Sequence, residues 1–393
     1  MKLSQNWQFN RIKNKPSMRK NIFDFLEHKT LYYDKIDFSI VHQAWVCIAS
    51  HVQLPYVIHI VGTNGKGTTG RYLASYLEQI GKDVLHYSSP HIVEFNERIW
   101  INQHNVSNEQ LQTAHVALYH YLSSELLNKL TYFEYSTLLA LYLSSQRDYL
   151  ILEAGLGGEF DATNVVKNDL TLVTTIGLDH QSFLGDTIED IAMTKMRSCD
   201  TAMIVGHQQS DEVLNLAQTF EDKDKKVHSV DHFNFPVYIN KSIPLYLHKN
   251  IELVMATLNF LNIKIDTNFF NTIKMPGRFE KINSHIIVDV GHNPLAAQEI
   301  VKSFSNNKVT LVYNSYADKQ YQEVLKILKP IIKKLEIIII DDQRMVSSDV
   351  LINIAKKENI PVSIFKQIDD QKKYLVFGSF LVVEEFLKKV NEK

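Results

Sequence analysis

The sequence predicts a two-domain α/β protein, with a larger N-terminal domain built on a mostly parallel, doubly wound sheet and a smaller Rossmann-like domain after it. Three observations carry this. The chain has 393 residues, more than one ordinary hydrophobic core accommodates. Short apolar runs rich in Val, Ile and Leu alternate with segments whose apolar residues recur every three to four positions, and that alternation of buried strands with helices builds parallel sheets. The alternation breaks once, at Met275-Pro-Gly-Arg-Phe-Glu-Lys281. Domains of 1–274 and 284–393 follow, joined by a hinge at 275–283.

Taken in order, the segment from Asn21 to about Pro55 reads as two helices. Residues 56–61 read as a strand, 68–80 as a helix closed by Gly81, and 83–87 as a second strand. Residues 108–127 and 137–145 read as helices, and 149–153 and 170–176 as buried strands. A short amphipathic helix at 188–196 carries Lys195, by composition an ordinary surface lysine. Beyond the hinge, strands are expected at 286–290, 309–313, 336–340, 362–365 and 374–377, mostly separated by helices.

Composition narrows the function classes. With 45% hydrophobic and 22% charged residues the chain is globular, and its formal net charge of -2 implies no general attraction to nucleic acid or to a membrane surface. The two cysteines, Cys47 and Cys199, are far apart in sequence and suggest reduced thiols in a cytoplasmic chain. Residues 1–20 are polar and basic, without the apolar centre of a secretory signal, and read as a solvated leader. No run is long and apolar enough to span a bilayer.

The most informative stretch is His59-Ile-Val-Gly62-Thr63-Asn64-Gly65-Lys66-Gly67-Thr68-Thr69. An apolar strand runs into a glycine-rich turn that opens a helix, so backbone N–H groups, a lysine and the helix N-terminus converge on one place, which is the chemistry that holds phosphate. Thr68 supplies a hydroxyl of the kind that reaches a nucleotide's magnesium. Gly67 stands between the lysine and the threonine, which departs from the common phosphate-loop spacing; an ordinary strand-to-helix turn is the alternative reading.

Other strand ends add polar groups. Glu153 terminates a strand ahead of Ala-Gly155-Leu-Gly157-Gly158 and is a candidate Mg²⁺ ligand, or else a carboxylate that caps its loop. The next strand leads to Gly177-Leu-Asp179-His180, where His180 is a candidate ligand for metal or phosphate. Ser88-Ser-Pro-His91 and Phe95-Asn-Glu-Arg98 form a loop dense in donors and acceptors, either functional or merely connecting. In the second domain, Asp289 and His292 precede a helix opened by Pro294, and with Arg278 of the hinge they would face the crevice if the strand ends point inward.

In their order along the chain these pieces closely resemble the dihydrofolate synthase/folylpolyglutamate synthase family, a branch of the Mur-type ATP-dependent amide ligases. The likeness runs from about residue 21 to residue 385. It is carried by Gly62 to Thr68, Ser89-Pro-His91, Phe95 to Arg98, Leu130-Thr-Tyr-Phe-Glu134, Glu153 to Gly158, Asp161-Ala-Thr-Asn164, Gly177 to His180, Pro276-Gly-Arg278, Asp289 to Pro294, Asp318-Lys319 and Gly378-Ser379.

The resemblance implies an N-terminal P-loop ATPase domain in which Gly62, Thr63, Asn64, Gly65, Lys66, Gly67 and Thr68 hold ATP. It implies that Thr68, Ser89, Glu153 and His180 surround one or two Mg²⁺ ions, with Lys66, His180 and a carbamylated Lys195 as catalytic groups. Asn164, Arg278, Asp289 and His292 would complete the nucleotide site. The implied reaction joins L-glutamate to dihydropteroate, to the glutamate tail of reduced folates, or to both, through an acyl phosphate, in a monomer. A general base for the amine stays unassigned.

Three stretches depart from the family pattern. Glu159 replaces the more frequent arginine, Thr194-Lys-Met-Arg197 replaces Glu-Lys-Ala-Gly, and Val290-Gly291 replaces Gly-Ala. Two other readings stay open: a related ligase acting on a cell-wall precursor, and a nucleotide switch that hydrolyses ATP without joining anything.

Overall fold

Tyr56–Val61 forms the central strand β1, and it can sit there because Val57 through Val61 are all buried, His59 included. Such two-sided burial is what a continuous apolar run provides and an alternating one does not. The computed structural model describes residues 21–30, 37–221, 225–233, 239–240, 243–304 and 308–391; residues 1–20, read above as a solvated leader, lie outside them.

Around β1 an eight-stranded sheet is completed by β2 (Val84–Tyr87), β3 (Ile99–Ile101), β4 (His104–Asn105), β5 (Tyr149–Glu153), β6 (Leu170–Val173), β7 (Ala202–Val205) and β8 (Lys226–Ser229). Its order is β4-β3-β2-β5-β1-β6-β7-β8. All pairs are parallel except β2–β3 and β3–β4. The register sets Glu153 opposite Ile60 and Val173 opposite Val61, so β1, β5 and β6 end level with one another.

The second sheet has six strands: β9 (Glu280–Lys281), β10 (Ile286–Asp289), β11 (Val309–Tyr313), β12 (Ile332–Ile337), β13 (Val362–Ile364) and β14 (Tyr374–Phe377), ordered β13-β12-β11-β14-β10-β9. Only β9 runs antiparallel. The last residues of the expected hinge thus add an edge strand to this sheet, and Gly277 accepts a backbone hydrogen bond from Val290.

Helices cover both faces of each sheet. Helix Lys66–Gln79 packs with helix Leu245–Phe260 on one face of the first sheet, burying Tyr72, Leu73, Leu77, Ile251, Val254 and Leu258. Each such side chain contributes roughly 1.5–3 kcal/mol by leaving water. Helices Phe38–Ile48, Asn108–Tyr121 and Tyr132–Leu143 cover the opposite face.

Several elements differ from expectation for local reasons. The helix expected at 108–127 is two, Asn108–Tyr121 and Ser124–Lys129, because Ser123 turns out of the first and caps the second by accepting from Leu126 N–H. The helix expected at 137–145 runs Tyr132–Leu143, its start fixed by a capping box between Thr131 and Glu134. β6 stops at Val173 because Thr175 pairs with the glycine-rich loop after β1 instead, its carbonyl accepting from Thr63 and Asn64 N–H. β12 lies earlier than 336–340, entered directly from the turn at Lys329–Ile331. The β3–β4 hairpin turns on Asn102 and Gln103, both in the left-handed region at φ 43° and 70°, which suits the right-handed twist of paired strands.

Candidate active site

The carboxyl ends of β1, β2, β5 and β6 deliver their loops to one edge of the first sheet, where ligands bind in open parallel sheets. From β1 the chain enters Gly62–Gly65 and then the helix that begins at Lys66. Gly65 takes φ +93° with Asn250 packed against it, so a side chain there meets both backbone strain and a steric clash. At Gly67 the limit is space alone, since a Cβ would lie 3.0 Å from Glu153 Oε2.

Lys66 folds back over its own loop, Nζ donating to the carbonyls of Gly62 at 3.1 Å and Thr63 at 3.3 Å. Lys195, 4% exposed, reaches the same place from helix Ile188–Met196 and donates to Gly62 O at 3.0 Å. It is therefore no surface lysine. Burial first, and Lys66 second, lower its pKa to about 7, against the opposing pull of Asp179 and Asp161.

Glu153 is 5% exposed and accepts Ser89 N–H at 3.0 Å. Burial raises its pKa, opposed by Lys66, Arg278 and the N–H groups of Ser89 and Gly67. Beside it the Thr68 hydroxyl is buried without a hydrogen-bond partner among the described residues. A buried hydroxyl of that kind calls for a ligand.

His180 holds the left-handed conformation at φ 54°, an uncommon state for a non-glycine residue that recurs at functional sites. Burial, then Lys319, Lys66 and His292, bring its pKa to about 4 against the pull of Asp179, so its imidazole is neutral and has a lone pair to offer. Among the described residues no three His, Cys, Asp or Glu side chains form a metal-holding group by themselves. That suits Mg²⁺, which takes one or two carboxylates and fills its shell with phosphate and water oxygens.

The second sheet completes the site. Asp289, at the end of β10, accepts from the Tyr246 hydroxyl at 2.7 Å and from the N–H groups of Phe279 at 2.9 Å and Gly291 at 2.8 Å. Arg278 lies 5.0 Å over the Phe380 ring. His292 donates through Nδ1 to Val290 O at 3.2 Å, and burial lowers its pKa. The two sheets are joined directly. Asn64 and Asn293 exchange amide hydrogen bonds at 3.0 and 2.9 Å. Asp179 meets Lys319 Nζ at 2.8 Å, Asn293 Nδ2 at 3.2 Å and His292 Nε2 at 3.8 Å. Burial alone would raise the Asp179 pKa, but His180, His292 and Lys319 outweigh it and hold the carboxylate well below its usual range.

The result is one cavity of about 210 Å³, lined from the first sheet by Gly62 through Thr68, Ser89, Glu153, His180 and Lys195, and from the second by Arg278, Asp289 and His292. Of the residues expected at the site, Asn164 does not line it. Its amide donates to Glu159 O at 3.0 Å and braces the glycine loop from behind. Asp161 does similar work, accepting from Leu156 N–H at 2.8 Å and Thr163 N–H at 3.0 Å.

Sequence reasoning gave no role to Asp179 or Lys319, although both lie within matched pieces, and it missed Tyr246, Lys249 and Glu299 on the cavity's helical walls. A buried polar residue on a helix carries the same local signal as an exposed one. Cys47 is exposed and Cys199 buried, both free thiols. Among the described residues no helix is long and apolar enough to cross a membrane.

The chain matches no protein-family model. It is 33% identical to the dihydrofolate synthase/folylpolyglutamate synthase of Haemophilus influenzae over 85% of this chain and 88% of that protein. Among solved structures it resembles Helicobacter pylori folylpolyglutamate synthetase, with 35% identity, a TM-score of 0.74 and coverage of 95% of this chain and 98% of that one. It also resembles Escherichia coli FolC in complex with DHPP and ADP, at 25% identity and a TM-score of 0.82, covering 96% and 99%. With the ordered motifs, these likenesses establish that the chain belongs to the dihydrofolate synthase/folylpolyglutamate synthase family.

Proposed function

We propose that this chain uses ATP to join L-glutamate to dihydropteroate and to the glutamate tail of reduced folates, through an acyl phosphate. The observation that carries the reading is the single cavity in which the phosphate loop, Lys66 and Lys195 of the first sheet meet Arg278 and Asp289 of the second. The names of its relatives and the ADP and DHPP bound by E. coli FolC support the same assignment.

Amide formation from a carboxylate at neutral pH needs a better leaving group than oxide. ATP supplies it when bound: a carboxylate oxygen attacks the γ-phosphorus and ADP departs, and then the neutral amine of glutamate attacks the acyl carbon, expelling phosphate and losing a proton. The protein's part is positioning and charge neutralisation. Lys66 and the loop N–H groups hold the phosphates, while Thr68, Ser89, Glu153 and His180 are placed to hold one or two Mg²⁺ ions. Lys195, with its lowered pKa, is suited to react with CO₂ as the neutral amine, and the resulting carbamate would give the metal site an anion. Arg278, Asp289 and His292 hold the nucleoside half. The Asn64–Asn293 and Asp179–Lys319 contacts keep the second domain closed over the first, which shields an acyl phosphate from water. The domain limits 1–274, 275–283 and 284–393 and a monomeric state belong to the same proposal.

The test is phosphate release from MgATP and glutamate with dihydropteroate, with a reduced folate, or with no acceptor. Release with both acceptors is the expected result. Release with one assigns a single activity, and equal release without an acceptor sinks the ligase reading in favour of a nucleotide switch.

A further inference from the structure

Residues 173–177 carry the chain from the end of β6 toward Asp179 and His180, and the glycine-rich loop after β1 rests on them. Thr174 donates to Val61 O through its N–H at 2.8 Å and its hydroxyl at 3.2 Å. Thr175 O accepts from Thr63 N–H at 2.9 Å and from Asn64 N–H at 3.2 Å. The Thr63 hydroxyl accepts from Gly177 N–H at 3.0 Å and donates to Gly177 O at 2.9 Å. The fit is close, since a Cβ at Gly62 would lie 1.9 Å from Thr174 Oγ1. The loop therefore takes its position from this segment.

The segment needs partners on its other edge as well. β7 pairs with β6 only as far as Val205 opposite Val173, and backbone groups beyond a strand end must find other partners. Gly206 N–H donates to Val173 O at 2.8 Å, and the Thr175 hydroxyl donates to His207 O at 3.2 Å. Gln208 then closes the edge with its side chain. Its Oε1 accepts from Ile176 N–H at 2.9 Å, and its Nε2 donates to Thr174 O at 3.1 Å and to Gly206 O at 3.0 Å. A side-chain amide carries the acceptor and donors of a peptide group, so it does for residues 174–176 what a longer β7 would do. The reversed amide would set its oxygen against two carbonyls, so the surroundings fix its sense. Gln209 lines the cavity and Gln208 does not.

We propose that Gln208 is a positioning residue for nucleotide binding: its amide fixes residues 174–177, and through them the loop that bears Lys66 and the backbone that leads to His180. The proposal rests on the reading of that loop as a phosphate site and is independent of the acceptor that the ligase uses.

The experiment titrates MgADP into the wild type, Gln208→Leu and Gln208→Glu by calorimetry, at about pH 8 and about pH 5.5. Leucine keeps the bulk and removes all three hydrogen bonds, so Kd for MgADP is expected to rise about tenfold. KM for ATP, from glutamate-dependent phosphate release, should rise with it. The calorimetric stoichiometry counts folded sites, so a variant that had only lost stability would show fewer sites with the wild-type Kd. Glutamate keeps the acceptor for Ile176 N–H but sets an anionic oxygen against two carbonyls, which raises its pKa. Its weakening of MgADP at about pH 8 should equal or exceed that of leucine, and at about pH 5.5 protonation returns one donor. Relative to wild type at the same pH, the Gln208→Glu effect should shrink severalfold between the two conditions while that of Gln208→Leu stays constant. The titratable and charged groups of the neighbouring segments, His207, Asp231, Lys249, Glu252, Asp179 and His180, are common to all three proteins. A Gln208→Leu Kd within about twofold of wild type overturns the proposal, and so does a Gln208→Glu effect that is the same at both pH values. If glutamate-dependent turnover is absent but Gln208→Leu weakens MgADP as expected, the functional reading fails and the role of Gln208 stands.

Discussion

Glu159 and Arg197 face each other between the glycine loop after β5 and the end of the Lys195 helix, with Oε2 and Nη1 3.4 Å apart. At both positions the resemblance implies another residue, arginine for Glu159 and glycine for Arg197, and here the acid and the arginine pair with each other. The backbone reinforces the pairing, since Glu159 N–H donates to Thr194 O at 2.9 Å and a Cβ at Gly158 would lie 2.7 Å from Lys195 O. Both side chains are partly solvated, so the pair contributes at most about 1 kcal/mol to stability. Its effect is expected on Lys195 placement. Glu159→Arg should lower kcat/KM severalfold with little change in Tm, and Glu159→Arg/Arg197→Glu should recover most of the loss. A double variant no better than the single one would show that the two positions are independent.

Lys66→Ala should abolish ATP turnover and leave Tm nearly unchanged. The side chain is only half-buried and bonds to two carbonyls of its own loop, so its removal costs the fold little while taking away a cation proposed to hold the phosphates. Retained ligase activity would remove the phosphate loop from the site.

Glu153→Gln should raise the Mg²⁺ concentration needed for half-maximal activity by about tenfold or more, because a neutral amide is a poorer ligand for a hard cation. The amide keeps the shape and can still accept from Ser89 N–H, so folding is spared. An unchanged magnesium titration would mean that Glu153 only orders its loop.

Lys195 makes a prediction about pH. Its pKa in the folded chain is lowered from 10.5 to about 7, so between pH 7 and 10.5 the unfolded chain binds the extra proton, and stability must rise with pH across that window and be flat below it. Lys195→Met has no group to titrate there. The Tm of wild type minus that of Lys195→Met should therefore increase from pH 7 to pH 9.5. Lys29, lowered to about 8, titrates in both proteins and cancels. A flat difference would mean that the amine is not held neutral by burial. In ¹³C-bicarbonate, a carbamate resonance present in wild type and lost in Lys195→Met would identify the adduct.

How much of this was legible follows from the range of each signal. β1 and its loop could be read because a strand buried on both faces must be apolar throughout, and a turn that aims several N–H groups at one point needs glycine. The ends of β5 and β10 were legible for the same reason, each a short apolar run ending in a carboxylate, whereas β6 stops at Val173, short of the expected 170–176. The β3–β4 hairpin was not, since Asn102-Gln103 lacks the glycine that usually signals such a turn. Asn164 was expected at the cavity and instead braces its loop through Glu159 O, because spacing in sequence does not tell which face of a turn a side chain occupies.

The sequence by itself determined the α/β class, the strand–glycine loop–helix at 56–79 and the order of the ligase motifs, because these depend on residues within one strand, turn or helix. Only the tertiary structure decided that Lys195 is buried beside Gly62, that Asp179 meets Lys319 across 140 residues of chain, and that Glu299 buries one carboxylate oxygen with no hydrogen-bond partner among the described residues. Burial and charge pairing depend on what the rest of the fold brings alongside a residue, and no local pattern of residues encodes that.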